Sequence, residues 1–207
     1  MIILNNLTKI YNNNYLFNDV NLSIKDGEFV AIVGDSGSGK TTLLNMMSLL
    51  EPTDDGDITI EDYCNPTNNQ IMKLRRNIIG NIFQNFALLE NHTVKENLKI
   101  AVKYNKKKDN NASLLAALAE VGLSNITLNQ KIYELSGGEQ QRVAIARCIL
   151  QECKYIFADE PTGNLDQKNS LLVFDLLKRL NTQGRTIVLV THDLNLAQRC
   201  SRIINLN

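Results

Sequence analysis

The chain has 207 residues, with 22 basic residues against 22 acidic ones, 43% hydrophobic content and an isoelectric point near 6.7. That length carries one large or two small domains with a proper core, and the balanced charge excludes a broad cationic footprint for nucleic acid. No apolar run approaches the ~20 residues of a bilayer-crossing helix, so a transport role would place the membrane crossing in another chain.

Taken in chain order, the start (Met1-Ile2-Ile3-Leu4-Asn5-Asn6) lacks the charged lead and apolar stretch of a signal peptide. Strands are predicted over 2–7 and 20–24, broken at Asp26-Gly27. Residues 29–33 form a continuous apolar run, the pattern of a strand covered on both faces. A glycine-rich turn follows, then a helix over 41–50 with Leu43, Leu44, Met46, Met47 and Leu50 apolar. Pro52 and Gly56 end that element before a strand over 57–60. From 71 to 150 the pattern is mostly helical. Thr93-Val94-Lys95-Glu96 has capping-box spacing and opens a helix through 102. The Asn/Lys-rich stretch 104–111, with Lys106-Lys107-Lys108, is expected as a solvated loop, and an Ala/Leu-rich helix over 113–121 stops at Gly122. Alternation then resumes: strand 155–158, helix 170–180, a turn at Gly184 and strand 186–191. Strands alternating with helices predict a mainly parallel sheet carrying a helical insertion.

Cys64, Cys148, Cys153 and Cys200 form no CxxC pair and no metal-like spacing. Reduced, buried thiols of a cytosolic protein are expected, with Cys148 and Cys153 not sharing a helix face.

Three stretches carry chemistry. Gly34-Asp35-Ser36-Gly37-Ser38-Gly39-Lys40-Thr41-Thr42 is a Walker A loop. Its glycines let backbone N–H groups curl around phosphates with no Cβ in the way, and the helix N-terminus beyond adds partial positive charge. Lys40 is expected to reach phosphate oxygens, and the Thr41 hydroxyl to ligate Mg²⁺. Tyr155-Ile156-Phe157-Ala158-Asp159-Glu160 reads as a Walker B strand. Asp159 would hold Mg²⁺ and Glu160 would orient or deprotonate the attacking water. Third, Ser136-Gly137-Gly138-Glu139 has the Ser-x-x-Glu spacing of a helix cap opening a helix over 140–150. Capping does not account for two consecutive glycines, each costing about 1 kcal/mol of helix propensity. A phosphate that must approach bare backbone does account for them.

Leu135-Ser136-Gly137-Gly138-Glu139-Gln140 resembles the signature motif of the ATP-binding cassette (ABC) ATPases, and the resemblance covers essentially the whole chain. It implies an α/β P-loop NTPase fold with a mainly parallel core sheet and an N-terminal antiparallel β-subdomain. The core would take residues 1–84 and 155–207, and an inserted α-helical subdomain approximately 85–154, all in a single ABC ATPase domain. It further implies that the signature acts in trans, completing the ATP site of a second protomer in an ATP-bound homodimer. Gln84, after Ile82-Phe83, resembles the Q-loop glutamine that contacts Mg²⁺ and water. Asn164-Leu165-Asp166 resembles the D-loop that meets the opposite protomer. His192 resembles the switch histidine that holds the γ-phosphate. Tyr11, with Tyr15 and Phe17 as alternatives, resembles the aromatic that stacks on adenine. His92 has no such support and is expected to be exposed.

The longer strings 158–166 and 137–142 resemble the MacB, LolD and FtsE branch. That branch implies an ATPase on the cytoplasmic face of the membrane, driving a separate transmembrane permease in export or efflux, with no nucleic-acid partner. The alternative within it is an FtsE-like mechanotransmitter controlling a cell-wall hydrolase without moving solute. DNA-repair relatives separate Walker A from the signature by a long coiled coil, whereas about 95 residues intervene here, and translation factors carry two cassettes. Residues 85–90, including Phe86, Leu88 and Leu89, are expected to help form the permease groove or to be plain core. With the sequence ending Ile203-Ile204-Asn205-Leu206-Asn207, the terminal hairpin and regulatory tail of many relatives are expected to be absent, which argues against a tail-regulated importer.

Overall fold

A computed structural model describes residues 1–103 and 109–206, so Lys106-Lys107-Lys108 and most of the loop expected around it lie outside the described residues. Two sheets carry the architecture. The first is antiparallel, with strand order β2-β1-β4-β5, where β1 is Ile2–Tyr11, β2 Asn14–Ile24, β4 Asp55–Ile60 and β5 Tyr63–Cys64. The second is parallel, order β6-β7-β8-β3-β9, with β3 Phe29–Val33, β6 Ile79–Ile82, β7 Tyr155–Asp159, β8 Thr186–Val190 and β9 Arg202–Asn205.

The β1–β2 hairpin is longer than the strands expected over 2–7 and 20–24. Asn12 and Asn13 adopt φ of 49° and 62°, the left-handed pair that a two-residue hairpin turn needs and asparagine tolerates. Register slips along β1, at Leu4/Leu7 and again before Ile10, break the alternation that would have betrayed the full length. The strand β6 was not expected at all. Its Ile-Gly-Asn-Ile is too short to show a period, and Gly80 is required there by packing, since a Cβ would fall 2.6 Å from Cys153 Sγ.

The central strands β3, β7 and β8 are buried on both faces, apart from the half-buried Asp159, and their alternate residues enter two different apolar layers, whereas the edge strand β9 is part exposed. Val30, Ile32, Tyr155, Phe157, Val188 and Val190 pack with α1 (Lys40–Met47) and the antiparallel sheet. Ile156, Ala158, Ile187 and Leu189 face the other way, toward α3 (Val94–Val102), α4 (Asn111–Glu120), α5 (Gly137–Gln151) and α6 (Gln167–Thr182). Each fully buried Leu or Ile of these layers contributes about 1.5–3 kcal/mol. Two further helices, α2 (Asn68–Asn77) and α7 (Leu194–Ala197), cover the flanks.

Caps set the helix starts. Thr93 and Glu96 form the expected capping box of α3, while the helix expected over 113–121 starts earlier, with Asn110 accepting from the Ser113 N–H. Helix α5 stops where Glu152 turns left-handed at φ 57°. That turn brings Cys153 back so that its thiol donates to the Cys148 carbonyl at 3.3 Å. The two cysteines therefore meet although they share no helix face. At the amino-terminal end of β7, Tyr155 donates to Asp26 at 2.8 Å and also to Glu61, while the Lys154 ammonium reaches Asp26 at 2.8 Å and Glu61 at 2.6 Å. This polar knot joins the two sheets at one pole.

Candidate nucleotide site

The opposite pole gathers the chemistry. Strands β3, β6, β7 and β8 all run parallel, so the segments following their carboxyl ends emerge along one edge of the sheet, where open α/β sheets bind ligands. These segments carry the Walker A loop, Gln84, Glu160 and His192. A cavity of about 410 Å³ opens there, and Tyr11, Lys40, Thr41, Thr42 and Glu160 are among the residues lining it.

The loop from Gly34 to Gly39 leaves β3 and enters α1 directly. Gly39 is the helix cap at φ 90°, and a Cβ there would lie 2.6 Å from the Phe17 ring, so glycine is required both for conformation and for space. No acidic side chain sits in the first turn of α1, leaving its N–H groups and dipole facing the cavity. Lys40 is held inside the loop, donating to the carbonyls of Gly34 at 3.0 Å and Asp35 at 2.7 Å. Ser36 and Gly37 line the cavity, and the Ser38 hydroxyl is buried with no hydrogen-bond partner among the described residues. Such an orphan donor fits a loop shaped for an added acceptor.

Thr41 and Asp159 come from different elements, yet the Thr41 hydroxyl donates to Asp159 Oδ1 at 3.1 Å. One hydroxyl and one carboxylate oxygen make the hard-oxygen donor set that suits Mg²⁺. Burial pushes the Asp159 carboxyl above its ordinary pKa, against opposing pulls from the Thr41 hydroxyl and the Lys40 charge. A raised pKa means that protons compete with a cation at higher pH than at a free aspartate. Mg²⁺ affinity is therefore expected to fall as pH drops through that raised value, and Asp159→Asn to abolish the dependence. Titration of Mg²⁺ into the nucleotide complex across pH checks this.

Glu160 follows Asp159 but has left the strand conformation, with φ at 45°. Its N–H still donates to the Val190 carbonyl at 3.0 Å. The left-handed residue lets two consecutive carboxylates serve one site, where an extended strand would separate them. The Glu160 carboxylate meets His192 Nδ1 at 2.9 Å, joining the residues after β7 and β8. Glu160 is 16% exposed against 72% for His192, so the histidine swings on the outside of the pair. The Gln84 side chain lies against Gly163, beyond Glu160, where a Cβ would stand 3.2 Å from its amide nitrogen.

Of the three aromatics considered for the base, Tyr11 lines the cavity, Phe17 is buried beneath Gly39, and Tyr15 is 65% exposed. Tyr11 is itself steered. Its hydroxyl donates to Glu51, which also accepts the buried Lys9 ammonium at 3.2 Å, and that ammonium lies 5.2 Å from the Tyr11 ring centre. Sequence reasoning missed Lys9 and Glu51, because nothing in a hairpin pattern announces that an ion pair will brace an aromatic.

The signature stands apart. Ser136 caps α5 in a reciprocal box with Glu139, and the Ser136 hydroxyl and N–H hold the Glu139 carboxyl below its ordinary pKa. Gln140 donates to the Leu135 carbonyl at 2.9 Å. None of residues 135–140 lines the Walker A cavity. The paired glycines have two different reasons. Gly138 is required inside this chain, because a Cβ would fall 2.6 Å from Asn169 Oδ1, which also accepts from Arg142 at 3.2 Å. Gly137 would meet only ordinary contacts, at 3.6 and 3.7 Å. Gly138 thus has a packing reason within this chain beside the expected approach of a phosphate. Gly138→Ala should destabilise the fold by about 1–3 kcal/mol, whereas Gly137→Ala should leave melting unchanged and weaken only ATP-dependent association. Thermal unfolding beside size-exclusion chromatography with ATP separates the two.

Asp166 caps α6, accepting from the Asn169 N–H and side-chain amide, each at 2.8 Å. Asn169 therefore ties the signature helix to the D-loop, a role no motif signalled. Asn164 donates to the Gln84 carbonyl at 3.4 Å. His92 is exposed, as expected. In the 85–90 segment Leu88 packs on the apolar core and Leu89 is 47% exposed.

A phosphate loop feeding a helix, a hydroxyl–carboxylate pair and a carboxylate–histidine pair at parallel strand ends define a P-loop nucleotide-hydrolysing domain. The ABC transporter family model matches residues 17–163. The chain is 42% identical over its whole length to the macrolide export ATP-binding/permease protein MacB of Campylobacter jejuni, although it spans only 33% of that protein. It is 41% identical to the lipoprotein-releasing system ATP-binding protein LolD of Aquifex aeolicus, covering 97% of this chain and 91% of that one. A solved dimer of the ATP-binding cassette MJ0796 with ADP and Pi superposes at a TM-score of 0.90, with 38% identity, 100% of this chain and 94% of that chain covered. The protein belongs to the ABC transporter family, in the branch of MacB, LolD and MJ0796, and is an ATP-binding, ATP-hydrolysing cassette.

Proposed function

We propose that the chain powers a membrane export complex as its peripheral ATPase subunit, on the cytoplasmic face, working through a separate transmembrane permease. Two copies close head to tail on two Mg·ATP, each nucleotide held by Tyr11, the loop from Gly34 to Thr42 and the partner copy's signature. Thr41, Asp159 and Gln84 would hold Mg²⁺. Glu160 prepares the attacking water, His192 steadies the terminal phosphate and Asp166 faces the partner. Residues 85–154 move as a helical unit against a core of 1–84 and 155–207.

The observation carrying this reading is the position of Ser136 and Gly137. They lie at a helix N-terminus, partly or fully exposed and outside the cavity formed by their own Walker A loop. A phosphate-shaped N-terminus away from its own phosphate site is explained by a phosphate on another copy. The relatives named for macrolide export and lipoprotein release support export as the work done. No helix among the described residues is long and apolar enough to cross a membrane, which fits a permease on another polypeptide or segment.

Affinity purification from membranes tests the proposal. A polytopic membrane protein should co-purify and raise the ATPase rate. ATPase activity per molecule that stays constant on dilution, with no membrane partner, would refute it.

A further inference from the structure

The chain leaving β6 passes Gln84 and then does something costly. Phe86 and Ala87 both sit in the left-handed region, at φ 64° and 46°. Neither is glycine, and two consecutive L-residues there are strained unless their surroundings hold them. What holds them is Arg147, near the end of α5. Its Nη1 donates to the Ala87 carbonyl at 2.8 Å and its Nη2 to the Phe86 carbonyl at 3.1 Å. The guanidinium is withdrawn from water far enough that burial lowers its pKa, and these two carbonyls are its only hydrogen-bond partners among the described residues. A flat fork with parallel donors matches two successive carbonyls in a way a lysine ammonium cannot.

A second clamp closes two residues later. Asn97 of α3 is fully buried. Its Oδ1 accepts from the Leu89 N–H at 2.8 Å, and its amide donates to the carbonyls of Leu89 at 3.1 Å and Thr93 at 3.0 Å. The backbone from Phe86 to Leu89 is therefore fastened to α3 and α5 by side chains, while Gln84 before it still lies beside the sheet. Phe86 also points its ring tip at the signature, 3.6 Å from where a Cβ on Gly137 would stand, with Leu165 at 3.7 Å from the same point.

We propose that Arg147 is a positioning residue for ATP hydrolysis: by holding the Phe86–Ala87 backbone, it locks the exit of the Gln84 loop to the signature helix. The inference rests on Gln84 and the signature acting at the two composite sites as set out above. Gln84 serves the nucleotide on its own chain, and Gly137 serves the nucleotide on the partner. The clamp converts a displacement at one into a displacement at the other. Arg147 touches no nucleotide and binds none.

The test uses the full chain with Arg147→Met, Arg147→Lys and Gln84→Ala. Arg147→Met should leave ADP affinity by calorimetry within about twofold, because it removes no phosphate contact. Its kcat should fall about tenfold or more, since an ångström of misplacement can cost about a hundredfold. In a Glu160→Gln background it should shift half-maximal dimerisation to about tenfold higher ATP. Arg147→Lys, which keeps the charge and one hydrogen bond, should recover part of both losses. Parent-like kcat and dimerisation in Arg147→Met would overturn the inference. So would ADP affinity falling in parallel with kcat, the mark of general destabilisation. If Arg147→Met does not fold, Arg147→Lys is held to the same split between ADP affinity and kcat. Full activity in Gln84→Ala would sink the role given to Gln84. Loss in Gln84→Ala with none in either Arg147 variant would sink only the clamp.

Discussion

Glu160→Gln is expected to bind ATP as the parent does and to turn it over about a hundred to ten thousand times more slowly, the range that a positioned general base supplies. The substitution keeps side-chain volume and a hydrogen bond to His192, whose Nδ1 stands 2.9 Å from the carboxylate. What it removes is the acceptor charge. Binding depends on the Walker A loop, which Glu160 does not build, so affinity and catalysis should separate. With hydrolysis blocked, the ATP-closed dimer should accumulate and be visible by size-exclusion chromatography with ATP but not ADP. Single-turnover hydrolysis at the parent rate would remove Glu160 from its place in the reaction.

Lys40→Ala should have the second largest effect, on affinity more than on rate. In the structure the ammonium is held by the carbonyls of Gly34 and Asp35. A phosphate would draw it from neutral acceptors to a charged one, a stronger bond by roughly a factor of two. Losing a charge-assisted contact costs about 1.5–3 kcal/mol, which at 1.4 kcal/mol per tenfold predicts ATP binding weaker by about ten- to more than a hundredfold. The same change strips two hydrogen bonds from the loop. Nucleotide titration by calorimetry decides the matter, and an unchanged Kd would show that the backbone alone carries the phosphates.

The motifs were legible because each is local: a phosphate loop, a strand ending in two carboxylates and a capped helix must be contiguous to work. Three of the five strands of the parallel sheet were legible for the same reason, as 29–33, 155–158 and 187–190 are unbroken apolar runs, while the edge strand Arg202–Asn205 shows no such run. The full length of the hairpin of Ile2–Tyr11 and Asn14–Ile24 was not legible, because its slipped register spoils the period of two. The strand Ile79–Ile82 was hidden by its length and by Gly80, whose purpose appears only when Cys148 and Cys153 are brought against it. Among site residues, Lys9, Glu51, Asn97, Arg147 and Asn169 went unseen. Lys9 and Glu51, Asn169 and Arg147 act through partners far along the chain, as in the 60 positions separating Arg147 from Ala87, and Asn97 through loop backbone eight residues before it, meetings that neither composition nor spacing encodes. At Gly138 the packing reason was equally hidden, because Asn169 lies 31 residues further along the chain.

The polar knot around Tyr155 has a mechanical consequence. Lys154, Asp26 and Glu61 rivet the two β layers together at the end of β7 remote from Asp159. Toward the other end the space between those layers is filled by apolar side chains, those of α1 among them, with Leu43 and Met46 fully buried. Tyr11 ends β1 of one layer, and Lys40 opens α1 beyond the loop that leaves β3 of the other. Any tilt of one layer on the other has its fulcrum at the rivet, so the longest travel falls where purine and phosphate tail are gripped.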